Sequence, residues 1–501
     1  MSEIFFEELD SKMYPSTLLH AYGVNGKISG SVGAVGEMGE DVVAVVHGPR
    51  GCAFHYRCSA RRRRQPFYNL FTSDLTQQEI IFGGEEKLRR TILEIWDRFR
   101  PSCIFIIPTP VSDVLNADIR SVTAGLRRQG IPVVGIRSEL FSHRDKNYTH
   151  NRLQEIAKQK ITGDNRLEME LKGCGFTEAL CAVVEQVMEP QTVTPRSVNI
   201  ETVGWGSEGR VVLREMEQFL SRCGVLVNTW IPSSPIKDLA AAPAAQLNLV
   251  KRVRWARQMK ARFGTDYLHL GGSGRYVGLD GIATLYRDIG EKLGIGEEMN
   301  ALVEEAVQET LAETAQTRAT LGQFHCVLVC RGLQDAPATI KLYTQSFGLS
   351  LSSICLILTE ETRRNMRITP EVEQQLLGRI REATAIYAPC AEILLNAPRE
   401  KLAQVFSQSD AVLGTNDFTL EGLGAPLIPA WCEMTSLTFP SYVRNIRRLE
   451  RRIRSAEERD ELLLNRMPIC SERFPRLDNA SSMAAREMWD RMWLHRKETK
   501  P

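Results

Sequence analysis

The feature that most constrains this chain is a recurring apolar run with no polar alternation, each closed abruptly by glycine or proline. The first is Val42-Val43-Ala44-Val45-Val46, ended by His47-Gly48-Pro49-Arg50-Gly51-Cys52. β-Branched residues without a polar face read as a strand buried on both sides. A helical pattern begins at Ala53-Phe54-His55-Tyr56. Cys52 is therefore expected at the carboxyl end of a strand, close to a helix N-terminus. There, backbone N–H groups favour a thiolate that ligates a metal or acts as a nucleophile. An inert core cysteine fits the same position, and the stretch alone does not choose between them.

The pattern repeats. Ile104-Phe105-Ile106-Ile107 is a second buried strand, ended by Pro108-Thr109-Pro110, and Ile131-Pro132-Val133-Val134-Gly135-Ile136 is a third. Helices are expected between them, over 87–99 and from about Asn116 to Gln129. Strand and helix alternating at this spacing make a parallel sheet covered on both faces. A second set has Val198-Asn199-Ile200 and Val225-Leu226-Val227 flanking a helix over 210–223, after a linker at Pro190 to Pro195. A helix is expected over 244–263, with Leu247, Val250, Trp255 and Met259 at helical spacing. A third set opens at His325-Cys326-Val327-Leu328-Val329-Cys330, after a polar helix over 299–319. It runs through Ile354–Leu358, Glu392–Leu395 and Ala411–Gly414 to a charged helix over 442–465.

At 501 residues the chain exceeds one core, and two to four domains are expected. A formal net charge of +2 argues against a polyanion-binding protein as a whole. Twelve cysteines with no CxxC pair are not a disulfide framework. Met1-Ser2-Glu3 opens with acid where a secretory leader carries base, and no apolar run approaches the length of a membrane span. The expectation is a cytoplasmic protein with reduced thiols, no membrane and no nucleic acid. Tyr22 to Ala34 is glycine-rich and reads as a loop or tight turn leading into a short helix. No Gly-Lys-Ser/Thr ends it, so it is not a phosphate-binding P-loop. The run Arg61-Arg62-Arg63-Arg64, on a helix with Cys58, reads first as solvated surface.

His47-Gly48-Pro49-Arg50-Gly51-Cys52 followed by Ile80-Ile81-Phe82-Gly83-Gly84-Glu85-Glu86-Lys87-Leu88 resembles the nitrogenase component 1 family. That family includes the cofactor-maturation scaffolds, the dark protochlorophyllide reductase and the cyclase of coenzyme F430 synthesis. Pro101 to Asp118-Ile119 matches its segment ending in a Gly-Asp-Asp-Ile type turn. Leu247-Asn248-Leu249-Val250 and Gly424-Ala425-Pro426-Leu427 match two later segments, with order and spacing kept over roughly 15–455. The resemblance implies three Rossmann-like domains: 1–190 with an interface Fe–S cysteine, 191–320 with a helical linker, 321–455, and a helical tail over 456–501.

The departures carry most of the functional content. Members with a full set of interface ligands present three cysteines. The middle one is Cys52, but Ser29 and Pro110 stand at the other two positions, and Cys103 is expected in the core. At the family's catalytic cofactor site, Arg252 stands where a cysteine follows Leu-Asn-Leu-Val, and Trp431 where a histidine is expected. A cation and an indole cannot hold such a cofactor as a thiolate and an imidazole do. The pattern resembles the N-type, β-like subunit of the maturation scaffold. Cys52 would be the fourth ligand of a 4Fe–4S cluster shared with a three-cysteine paralogue of D or E type in an α2β2 assembly. An ATP-dependent iron protein would supply electrons, and no independently held catalytic cofactor is expected. Two other readings stay open: a clusterless structural subunit of a reductase acting on something other than dinitrogen, and a sugar-nucleotide enzyme. The last leaves His47–Cys52 unexplained.

Overall fold

The computed structural model describes residues 27–54, 69–137, 175–202, 207–270, 275–330, 333–360, 363, 368–414, 420, 423–428 and 436–454. Three all-parallel sheets follow one another along the chain. β1 (Val42–His47), β2 (Leu70–Thr72), β3 (Cys103–Pro108) and β4 (Val133–Gly135) form the first, in the order β2-β1-β3-β4. β5 (Thr194–Glu201), β6 (Leu226–Ile231), β7 (Ala245–Val250) and β8 (Asp266–His269) form the second, ordered β6-β5-β7-β8. β9 (His325–Cys330), β10 (Ser350–Leu356), β11 (Glu392–Leu395), β12 (Ala411–Leu413) and β13 (Leu427–Ile428) form the third, ordered β11-β10-β9-β12-β13.

The continuous apolar runs have the predicted cause. Every residue of β1 and of β3 is buried, because helices cover both faces. Val43, Val45, Ile104 and Ile106 face the Glu85–Phe99 helix through Leu88, Ile92 and Ile95. Val42, Ala44, Val46, Phe105 and Ile107 face the opposite way, toward the Gly175–Gln186 helix and Trp255. That second core joins the first sheet to the helix following β7. Another core runs without a break from the second sheet through the Gly278–Leu293 and Gly296–Leu321 helices into the third.

Several local expectations give way. Leu247-Asn248-Leu249-Val250 belongs to the strand β7, and the helix starts only at Val253. β7 lies between β5 and β8 and its two faces meet different cores, Leu247 and Leu249 in one and Val250 in the other, so its apolar run is buried on both faces. Asn199 Nδ2 donates to Asn248 Oδ1 at 2.8 Å across the register pair Asn199–Asn248. The glycine-rich stretch is helical over Lys27–Val35, because Gly30 lets the Phe176 backbone approach; a Cβ there would lie 2.6 Å from Phe176 N. Pro195 lies within β5 rather than in a linker. The helix expected from about Asn116 to Gln129 runs over Ile119–Arg128, capped by Asp118 accepting from Ser121 N at 3.0 Å, and a separate short helix, Pro110–Val114, precedes it. Cys58, Arg61–Arg64, Trp431 and the tail beyond 454 lie outside the described residues. Among the described residues, no helix is long and apolar enough to cross a membrane.

Candidate functional site

In a doubly wound parallel sheet, loops leaving two adjacent central strands in opposite directions open a crevice at the strands' carboxyl ends. Each sheet here has one such point: between β1 and β3, between β5 and β7, and between β9 and β12. Cys52 follows the first and Arg252 the second.

At the first point the chain turns sharply after His47 and enters a helical turn over 50–54 that carries Cys52. The turn is fixed from two neighbouring segments. Thr109 Oγ1 donates to His47 O at 2.8 Å, and Thr72 Oγ1 and Leu75 N donate to Gly48 O at 3.0 and 3.1 Å. Gly48 N donates to Ser73 Oγ at 3.1 Å, and Arg50 pairs with Asp74. Glycine is required at 48, since a Cβ there would sit 2.5 Å from Thr109 Oγ1. His47 is fully buried, with Nδ1 2.9 Å from Ser73 Oγ and no partner for Nε2. Its ring lies against Gly84, whose Cβ would come within 3.1 Å of His47 Cε1, so Gly83-Gly84 closes over the imidazole. Burial pulls the His47 pKa down to about 4, opposed by the Glu85 carboxylate. The motif's histidine is thus a neutral anchor beneath the cysteine turn.

The cysteine itself is half-buried, and burial pushes its thiol pKa up rather than down. Desolvation outweighs the helix-terminal N–H groups that the sequence suggested would lower it. Metal coordination would deprotonate it regardless. Ser29 lies on the Lys27–Val35 helix, which packs on β1 and β3, and Pro110 is the exposed first residue of the next helix. Cys103 lies at the opposite end of the sheet, paired with Val42, and burial pushes its thiol up to about 12. Among the described residues, Cys52 therefore gives the one sulfur at this crevice. Among the described residues no three His, Cys, Asp or Glu side chains are grouped to hold a metal ion.

The second point is polar. Glu201, fully buried at the end of β5, accepts from Lys251 N at 2.8 Å, Arg252 N at 2.9 Å and Trp255 Nε1 at 3.0 Å. It also pairs with the Arg252 guanidinium, which stacks 4.0 Å above the Phe176 ring. Arg252 therefore clamps the second sheet to the Gly175–Gln186 helix, an internal ion pair across the crevice. Glu37, on the segment after the Lys27–Val35 helix, accepts from Ser233 Oγ at 2.7 Å and Thr202 Oγ1 at 3.2 Å. Burial raises its pKa, opposed by those two hydroxyls and by Arg252 and Arg210. Sequence reasoning missed Glu201, Glu37 and Lys251. A carboxylate directly after the buried Val198-Asn199-Ile200 run was the available signal for Glu201. At the third point, burial pushes the Cys330 thiol up to about 12, and Gly414, at φ +85°, lies against Val329 O.

Three doubly wound sheets, with Cys52 at the first switch point and a polar ion pair at the second, define a class of three-unit α/β protein. The family model for nitrogenase component 1 type oxidoreductases matches residues 28–375, and the chain belongs to that family. It is 28% identical over 283 residues to the nitrogenase iron-molybdenum cofactor biosynthesis protein NifE of Methanococcus maripaludis, covering 54% of this chain and 52% of that one. NifE of a Nostoc species is 27% identical over 309 residues, 59% and 58% of the two chains. The nitrogenase molybdenum-iron protein alpha chain of Clostridium pasteurianum is 25% identical over 287 residues, 54% and 48%. The chain thus spans about half the length of these curated relatives. A solved structure, nitrogenase Cp1 at pH 6.5, superposes with TM-score 0.54 at 16% identity over 86% of this chain and 89% of that one, and shares the fold.

Proposed function

We propose that this chain is a non-cofactor, β-type subunit of a cytoplasmic nitrogenase-component-1-like complex. It would give Cys52 as one ligand of a 4Fe–4S cluster at the interface with a paralogue of D or E type. The observation that carries this reading is the thiol of Cys52, the one cysteine at the first switch point among the described residues, with Ser29 on the Lys27–Val35 helix and Pro110 opening the next helix. A cubane held by thiolates takes four, so a partner with three cysteines completes the set. The Cys52 turn fits such a role, being tied by hydrogen bonds through Gly48 and His47 while Cys52 is only half-buried. Once held, the cluster would take up and pass on single electrons delivered by an ATP-dependent iron protein. Arg252, at the position of the family's cofactor cysteine, would not ligate metal there.

The names of the relatives, a cofactor biosynthesis protein and a molybdenum-iron alpha chain, support either a maturation scaffold or a reductase. One of them is an alpha chain by name, whereas the ligand pattern of this chain is read as β-type. The raised Cys52 thiol favours one alternative, a clusterless structural subunit. Co-expression with a three-cysteine paralogue, followed by size-exclusion with light scattering, tests the assembly. An α2β2 heteromer is expected. A stable monomer that ignores the paralogue would contradict the proposal.

A further inference from the structure

The helix Pro370–Tyr387 crosses from β10 to β11, the edge strand of the third sheet, so that sheet ends beneath it. Val372, Leu376, Ile380 and Ala383 turn one side of the helix into the core shared with the second sheet. Gln375, Gly378, Arg379, Glu382, Ala385 and Ile386 make the adjoining flank. Positions 375, 379, 382 and 386, spaced four, three and four apart, form one row along a helix.

Arg379 is out of place in that row. It keeps 7% exposure, and its Nε and Nη1 are buried with no hydrogen-bond partner among the described residues. Burial lowers its pKa, opposed by the charge of Glu382. A guanidinium buried without a bonded acceptor is costly, so folded proteins supply one. The neighbours leave the flank open to a second helix. Gly378 stands mid-helix, where glycine weakens a helix, yet a Cβ there would meet nothing within 4 Å among the described residues. Ile386, two turns beyond Arg379, is 48% exposed, and Gln375, Glu382 and Ala385 are exposed with it. Glycine and alanine beside an exposed isoleucine let another helix approach closely.

The row is complementary to itself. Arg379 and Glu382 lie equally far to either side of the bond between 380 and 381. A two-fold axis there sets the helix antiparallel to its copy and brings each Arg379 opposite Glu382 of the other copy, giving two identical ion pairs. We propose that this flank is a contact between two copies of the chain, in which Glu382 of one supplies the acceptor that Arg379 of the other lacks. The contact lies on the third unit and does not involve Cys52. Sedimentation velocity on the full chain alone, over roughly 1–100 μM, where modest interfaces dissociate, tests it. A monomer–dimer equilibrium is expected, weaker as salt rises. Glu382→Arg, at an exposed position, sets like charges across the axis and should weaken the dimer at least tenfold, as should Ile386→Asp. Arg379→Met should weaken the dimer too, yet raise the melting temperature of the dilute monomer, because the unpaired cation is gone. Cys52→Ala should dimerise like wild type. A dimer whose affinity is unchanged by both Glu382→Arg and Ile386→Asp overturns the proposal. So does a chain that stays monomeric throughout; if that monomer still joins the three-cysteine paralogue, the reading of Cys52 stands without this contact.

Discussion

Removing Glu201 should loosen the second sheet from the first more than any other single change at the crevice. The carboxylate is fully buried and its partner Arg252 retains 17% side-chain exposure. Glu201→Ala strands that guanidinium together with the Trp255 indole N–H, whose ring is fully buried, and the N–H groups of Lys251 and Arg252. Breaking a buried pair from one side costs about 3–5 kcal/mol, and water at the partly exposed Arg252 places this case near the lower bound. Glu201→Gln keeps an oxygen acceptor and should cost about 1–2 kcal/mol. In Glu201→Ala/Arg252→Met no cation remains to be stranded, so the double variant should recover part of the loss and reveal a coupling of about 1–2 kcal/mol. Global unfolding of three sheets need not be two-state. Native-state hydrogen exchange of peptides covering 197–202 and 245–256 therefore reads the local opening free energy directly. Exchange in Glu201→Ala within about 0.5 kcal/mol of wild type, or equal damage from Glu201→Gln, would refute this account of the crevice.

His47 ties stability to pH. Its folded pKa of about 4 lies below the ordinary 6.5, so the unfolded chain binds more protons between those values. The stabilisation is complete above about pH 6.5 and is lost as pH falls toward 4, on the order of 3 kcal/mol in all. His47→Gln should flatten the pH dependence of unfolding across that window, and identical slopes in the two proteins would count against a buried neutral imidazole. Gly48→Ala should destabilise the Cys52 turn by more than 1 kcal/mol, on the order of an overpacked core, because the new Cβ meets Thr109 Oγ1 at 2.5 Å. Thr109→Ser should not rescue it, whereas Thr109→Gly should rescue part, as measured by thermal unfolding.

The sheets were legible because parallel strands covered on both faces leave continuous apolar runs, as in Val42–Val46 and Ile104–Ile107. The same property hid β7. Leu247 and Val250 fit helical spacing with Trp255 and Met259, and a short apolar run does not distinguish a buried strand from a buried helix. The strand end falls at Lys251-Arg252, where two cations broke the run without any turn residue to mark it. Glycines at 30 and 33 suggested a loop, but Gly30 serves a contact with Phe176, 146 residues away in sequence, that no local pattern carries. The position of Cys52 was readable from its motif. Its raised thiol pKa was not, because desolvation depends on what packs around the turn. The internal pairing of Arg252 rests on Glu201, 51 residues earlier, a relation that exists only once β5 and β7 lie side by side.

Iron and sulfide content of the co-purified complex, with its electron paramagnetic resonance signal, tests the central claim most directly. Cys52→Ala and Cys103→Ala are compared with wild type, each co-expressed with the same three-cysteine paralogue. Cys103 is a suitable control, a buried thiol at the opposite end of the same sheet. Loss of iron and sulfide and an altered signal in Cys52→Ala, with both retained in Cys103→Ala, is the predicted result. Equal iron and an unchanged signal in both variants would contradict the assignment of Cys52 as a cluster ligand.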